Sequence, residues 1–288
     1  MRYRRGFTLI ELLVVIAIIA LLMAIIMPGL KLAKRKAQST VCLGNTKNLS
    51  MGWYMHMEDN DGRIMSSTSE AVDDKGKNVG WCRDPRDESL MILSNNQIEP
   101  AVTDEDEIRG IKMGVLYPYV KSPDAYHCPG DNVRKSKYDG TRVFVTYAMP
   151  ACLNQAPKRS ESRYNIQIRT YDEMTSPSTR YVFVETAEER NWNMNQRFIL
   201  GAPEYTDNFE AWAWWNPMAI NHGDSSILGF CDGHAEARKW RDPFTIERVN
   251  KLLDQGVTNY GIEYPPAGQT SDIRYVADGW AYRHKSAR

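Results

Sequence analysis

Glu11 carries the most demanding chemistry in this chain, because of where it stands. It closes the string Phe7-Thr8-Leu9-Ile10-Glu11 and is followed by an apolar run from Leu12 to Met27 and then Pro28. A carboxylate inside a helix fit for a bilayer costs about 2.5–3.5 kcal/mol at the centre and less near an interface, so it needs a specific partner. Other reactive groups are sparser. His222, Asp232 and His234 are metal-ligand types close in sequence, Asp59 and Asp61 fall in an acidic stretch, and Trp212, Trp214 and Trp215 stand within four residues. Five cysteines, Cys42, Cys82, Cys128, Cys152 and Cys231, follow the apolar run. Their odd number leaves at least one thiol unpaired within the chain, and the absence of C-x-x-C argues against a zinc ribbon or a thioredoxin-like motif.

Each of these groups also has a plainer reading. An EF-hand loop with Gly62 at its sixth place would begin at Met57 and end at Thr68, neither of which supplies the required ligand. Turn chemistry explains Asp59 and Asp61 better. Asp232-Gly233, between two strand-like runs, is the preferred filling of a two-residue type I′ hairpin turn. His222 is then expected to bond a nearby backbone group. No cofactor is expected; calcium or zinc at His222, Asp232 and His234 is the alternative left open. The chain contains no G-x-S-x-G, H-E-x-x-H or phosphate-binding loop. His127 next to Cys128 is adjacency rather than a catalytic pair. No catalytic residue is therefore assigned and the chain is not read as an enzyme. Lys and Arg total 36 against 36 Asp and Glu, so charge gives no argument for a nucleic-acid partner.

The elements that position these groups follow from patterning. Residues 7–30 form a helix of roughly 36 Å, enough to cross a hydrocarbon core of about 30 Å. Arg2, Arg4 and Arg5 precede it and Lys31, Lys34, Arg35 and Lys36 follow, so charge asymmetry does not orient it. The core is too long for an ordinary cleaved secretory signal. Residues 31–58 continue as an amphipathic helix, with Leu32, Ala33, Ala37, Val41, Leu49, Trp53 and Met57 near one side and a kink or loosening at Pro28-Gly29. Residues 59–268 form a water-soluble head and 269–288 a polar, extended tail.

Within the head, Trp81 and Ser89–Leu93 read as core pieces, and Asp104–Glu107 as a solvated helix start. Residues 143–147 and 181–185 are strand-like, and 226–231 with 234–240 form a hairpin. Asp242 caps a short helix begun by Pro243. The fold class is α+β, with a long N-terminal helix against a globular domain containing an antiparallel sheet. The tryptophans bury one strand face, or alternatively form an exposed platform for a sugar or a partner subunit.

The string Gly6-Phe7-Thr8-Leu9-Ile10-Glu11, behind a short basic leader and ahead of a long apolar helix, closely resembles the processing site of type IV pilins and type II secretion pseudopilins. That resemblance implies cutting of leader 1–6 after Gly6 by a prepilin peptidase and N-methylation of Phe7. It also implies a Glu11 carboxylate that meets the new amino terminus of a neighbouring subunit in a filament. The implied partners are the prepilin peptidase, other pilin or pseudopilin subunits, the secretion or pilus assembly machinery and the lipid bilayer. The implied location is the bacterial inner membrane, single-pass, with the N-terminus cytoplasmic and the head extracytoplasmic.

A second resemblance rests on His222, nine intervening residues, and Asp232-Gly233. With Cys42-x-x-Asn45 and Cys128-Pro129, it is similar to a group of prepilin-like proteins having an H-x(9)-D-G C-terminal region. It implies a disulfide between Cys42 and Cys128; the other cysteines stay unassigned. The expected function is a pilin-like structural subunit of a secretion pseudopilus or a type IV pilus-like filament. The alternative is a membrane-tethered binding module, for polysaccharide, that does not polymerise.

Overall fold

In a computed structural model, residues 8–93, 102–131, 144–154, 167–186, 197, 198, 200, 201, 212–216, 218–255 and 262–280 are described. Helix α1 (Leu9–Asp59) is a single element of 51 residues, about 77 Å long at ~1.5 Å per residue. It runs through Pro28-Gly29 without interruption. The helix is continuous, as expected, because helix-forming residues on both sides of Pro28 propagate it at the cost of one main-chain hydrogen bond. The apolar residues from Leu9 to Leu32 are exposed.

Only from Cys42 does α1 bury a stripe: Cys42, Thr46, Leu49, Ser50, Gly52, Trp53 and Met57. These recur at spacings of three and four, the period of one helix face. Leu32, Ala33, Ala37 and Val41, expected on that stripe, are exposed, because the head begins to bury the helix nearly three turns later than the apolar pattern implies.

Helix α2 (Asp104–Met113) starts on a reciprocal capping box between Thr103 and Asp106, which satisfies two first-turn N–H groups. The helix start is where the sequence puts it, but it is not all solvated. Asp106 and Glu107 are buried, and Glu107 accepts hydrogen bonds from the Phe144 and Val145 N–H groups, both at 3.1 Å. Buried carboxylates are tolerated when donors of this kind reach them. The short helix α3 (Tyr117–Val120) follows. Trp81 is buried, stacked on Tyr126 at 5.9 Å and edge-on to Phe183 at 5.4 Å. Leu90, Met91 and Ile92, expected in the core, are exposed. A short apolar run carries no directional signal of its own, and scattered exposed hydrophobes are normal.

The strands, in chain order, are β1 (Tyr147–Pro150), β2 (Tyr181–Glu185), β3 (Arg197–Phe198), β4 (Leu200–Gly201), β5 (Ala213–Trp214), β6 (Ser225–Phe230) and β7 (Ala235–Lys239). Five form one sheet in the order β3-β1-β2-β6-β7. Its β1–β2, β2–β6 and β6–β7 pairs are antiparallel and its β1–β3 edge is parallel. β4 and β5 pair separately. The strand expected over 143–147 begins only at Tyr147. The expected 181–185 strand is β2, buried along its whole length.

Helix α1 crosses this sheet at β6. Gly229 allows that approach: a Cβ there would collide with Ser50 Oγ and come within 2.8 Å of Thr46 Cγ2. The β6–β7 hairpin forms as expected, with Ile227 opposite Ala237 and Gly229 opposite Ala235, but its turn differs. Gly233 N–H bonds the Phe230 carbonyl at 3.0 Å, and Phe230 N–H bonds the His234 carbonyl at 2.8 Å. Of the turn residues only Gly233 has positive φ, at 91°. This is the three-residue loop closed by a left-handed glycine, not the two-residue turn read from Asp232-Gly233.

Helix α4 (Pro243–Gln255) begins where expected. The polar tail expected from Gln269 is a correction: Ser271–Asp278 is helix α5. Ile273, Val276, Ala277 and Trp280 are buried, which anchors the segment despite its polar composition. The Asp242 carboxylate serves α5, accepting Asp272 N–H at 2.7 Å and the Ser271 hydroxyl at 2.8 Å. Asp272 returns the bond to the Arg241 and Asp242 N–H groups at 2.9 and 2.8 Å. Two helix starts are thereby cross-linked by two carboxylates.

Candidate functional site

Two places combine unusual chemistry with definite geometry, and both lie on α1. At its beginning, Thr8 is the N-cap and Glu11 completes a capping box. Glu11 Oε2 accepts both the Thr8 N–H and the Thr8 hydroxyl at 2.8 Å, and Thr8 Oγ1 accepts the Glu11 N–H at 3.3 Å. The acid thus has neutral donors within its own chain, while the apolar surface following it is bare. A charge-assisted bond to a cation is roughly twice as strong as one between neutral groups. Gly6 and Phe7, expected from the sequence to be the processing residues, lie outside the described residues.

The second place is the point where α1 first meets the sheet. Cys42 comes from α1, Glu185 from the end of β2, Cys128 from the segment after Tyr126, and His222 from the loop before β6. Their ligating atoms all lie within 4.8 Å of one another. The Cys42 thiol donates to Glu185 Oε1 at 2.7 Å. His222 Nε2 is 3.0 Å from the same oxygen and 3.3 Å from Cys128 Sγ. Three outer donors or partners complete the arrangement: Tyr147 OH at 2.8 Å from Cys42 Sγ, Asn221 Nδ2 at 3.7 Å from Cys128 Sγ, and Ile227 N–H at 2.7 Å from Glu185 Oε2.

Electrostatics there are strongly displaced. Burial, with the Cys128 and Glu185 neighbours, pushes the Cys42 thiol well up. The hydrogen bond from Cys42, working against burial, pulls Cys128 down. Burial alone would lower His222, but its bonds to Cys128 and Glu185 outweigh that and raise it to about 10. Tyr147 is held well above its usual range by burial first and by the neighbouring acids second.

Comparison with known proteins bears on the first place. Residues 1–27 match the prokaryotic N-terminal methylation motif. A 61-residue stretch is 44% identical to the type IV wide pilus major component PilA4 of Thermus thermophilus, covering 21% of this chain. The chain carries a prepilin-type N-terminal segment and is similar there to a type IV pilin. It spans about half the length of that curated relative, 47%. No solved structure matches it. One N-terminal apolar helix of sufficient length and a prepilin motif fit a single-pass, membrane-anchored pilin-like chain.

The structure redistributes the other residues singled out from the sequence. Among the described residues, His222, Asp232 and His234 do not form a metal-ligand group, and the one that exists takes only His222 from that trio. Asp232 and His234 pair with each other at 2.5 Å on the hairpin turn, and the His234 ring stacks on Phe230 at 4.2 Å. The turn turns them away because His222 enters from a different loop, before β6 rather than after it. Asp59 and Asp61 belong to no such group among the described residues.

Cys42 and Cys128 are brought together, as free thiols. Cys82, Cys152 and Cys231 are buried elsewhere and form no disulfide. Trp212 and Trp214 are buried, Trp214 edge-on to Trp240 at 6.3 Å, so the pair packs the core rather than offering a platform.

Glu185 is the site residue that sequence reading missed. It ends Tyr181-Val182-Phe183-Val184-Glu185, and an acid terminating an apolar strand reads as a surface residue. Alternation gave no signal for it, because every residue of β2 is buried and the pairing shifts between Tyr181 and Phe183.

Proposed function

We propose that this chain is a structural subunit, not an enzyme. In this reading the prepilin peptidase cuts after Gly6, Phe7 becomes the methylated amino terminus, and subunits bundle their apolar half-helices into a filament. That filament is a type IV pilus-like fibre or a type II secretion pseudopilus, built by the corresponding assembly machinery at the bacterial inner membrane. The leader stays cytoplasmic and the head is extracytoplasmic. The H-x(9)-D-G grouping belongs to the same reading.

One observation carries it. The first half of α1 exposes apolar side chains all round and holds a single carboxylate near its start. Each such side chain gains about 1.5–3 kcal/mol on leaving water, so this half needs lipid or neighbouring helices. Lipid satisfies the apolar surface but not Glu11. A neighbour's amino terminus satisfies both, replacing the neutral Thr8 donors with a cation. The sugar-binding alternative has no comparable support, since Trp212 and Trp214, two of the three tryptophans that suggested it, are buried.

The test has two parts. Mass spectrometry of the native N-terminus should find methylated Phe7; an intact Met1 or a cut beyond residue 30 ends the reading. Glu11→Ala should leave processing intact and abolish filaments. Filaments at wild-type yield from that variant would show that the carboxylate has no part in assembly.

A further inference from the structure

We propose that Cys42, Cys128, Glu185 and His222 bind one zinc ion that clasps helix α1 to the head. The four groups come from four separate segments and converge where the helix leaves its bare half and enters the fold. Three are fully buried and the His222 side chain is nearly so. Two thiols, an imidazole and a carboxylate are the donor set of a borderline-soft ion, whereas calcium and magnesium take oxygen ligands. Tetrahedral zinc, with bonds of about 2.0–2.3 Å, holds its ligand atoms roughly 3.3–3.8 Å apart. The separations of 2.7, 3.0 and 3.3 Å between the cluster's atoms reach that spacing if the side chains open by less than about 1 Å.

The surroundings support the same assignment. Metal ligands are held by outer hydrogen bonds that fix their direction and favour the charged form. Here each acidic ligand has such a neighbour: Tyr147 OH on Cys42, Asn221 Nδ2 on Cys128 and Ile227 N–H on Glu185. The four atoms that would ligate, two Sγ, Glu185 Oε1 and His222 Nε2, converge on one another. Zinc binding releases the thiol protons and the Nε2 proton of the His222 imidazolium to solvent, leaving a neutral ring protonated at Nδ1, and no group is oxidised or reduced. A disulfide between the same cysteines would be a different chemistry. It would use two of the four groups, remove the thiol that donates to Glu185, and leave the Tyr147 and Asn221 donors facing neutral sulfur.

The experiment uses the full chain in detergent, exposed to zinc sulfate, dialysed, and assayed for metal and intact mass. The expected result is about one zinc per chain, lost in Cys128→Ser and His222→Ala and kept in His234→Ala. Tyr147→Phe should retain the fold and bind zinc roughly 10–100-fold more weakly. Because the ligand variants can fail to fold, cobalt is substituted into the unaltered protein. A thiolate-to-cobalt charge-transfer band with tetrahedral visible absorption is expected. Absence of both zinc and the cobalt band, with four reactive side chains and free thiols, overturns the proposal. So does a mass lower by two hydrogens with a linked Cys42–Cys128 peptide, which assigns a disulfide instead. Neither outcome touches the Glu11 test of filament assembly.

Discussion

Helix α1 places two regimes on one rod. From Leu9 to Leu32 its surface is determined by what surrounds the protein, and large apolar side chains face outward. From Cys42 to Met57 it is determined by the protein's own sheet. There the buried face includes Thr46, Ser50 and Gly52 as well as Leu49, Trp53 and Met57. The bare half is the more apolar, yet it is the half the head leaves uncovered. Hydrophobicity alone therefore does not say what a helix packs against. Small and polar residues mark the half that meets a backbone closely, because only they fit beneath β6 at Gly229.

That contrast is open to mutation. The largest effect belongs to Glu11→Ala, expected to abolish filaments while the melting temperature of the head stays at the wild-type value. A shift in melting temperature would mean the two halves are not independent. In the covered half, Trp53→Ala removes a fully buried side chain and should cost about 3–5 kcal/mol in denaturant titration. N-terminal processing should be unchanged.

Gly229→Ala puts a methyl group against Ser50 and Thr46 and is expected to cost about 1–3 kcal/mol, the usual price of overpacking. Pairing it with Ser50→Gly should restore part of the loss, since the two sites touch. A further test concerns the head alone. Burial, partly offset by the Ser69 hydroxyl at 2.5 Å, raises Asp84 from 3.8 to about 7. A carboxyl whose folded value lies above its unfolded one favours folding when protonated. Its contribution is therefore present below about pH 4 and is lost as pH rises to about 7. Asp84→Asn should gain stability relative to wild type between about pH 5 and about pH 8, read by denaturation at both values. Equal differences at the two pH values would remove the argument.

Legibility followed the range of the interactions involved. Helix α1, strand β2, the β6–β7 hairpin and the start of α4 were readable because periodicity, capping residues and turn glycines act within a few positions. The same local cues misled where a distant contact won. Glu107 looked solvated until Phe144 and Val145 supplied donors from 37 and 38 residues away. Leu90 to Ile92 looked internal, and the polar tail hid an anchoring helix. The hairpin was located correctly, but its loop length depended on which strand residues paired. Of the cluster, Cys42, Cys128 and His222 were singled out separately, whereas Glu185 was not, because nothing near it in sequence needs an acid.

The order of residues by itself settled that the chain begins with a prepilin-type segment, that an apolar rod follows, and that a mixed helix-and-strand head comes after. Those properties are written in composition, spacing and local hydrogen bonding. Where the head takes hold of the rod, and which four side chains gather there, emerged only on folding. Cys42 and Glu185 are 143 residues apart, and such a meeting depends on how α1 lies across β6 and on the loops that deliver Cys128 and His222. No local pattern encodes that path, because the free energy that selects it comes from burying the whole interface at once.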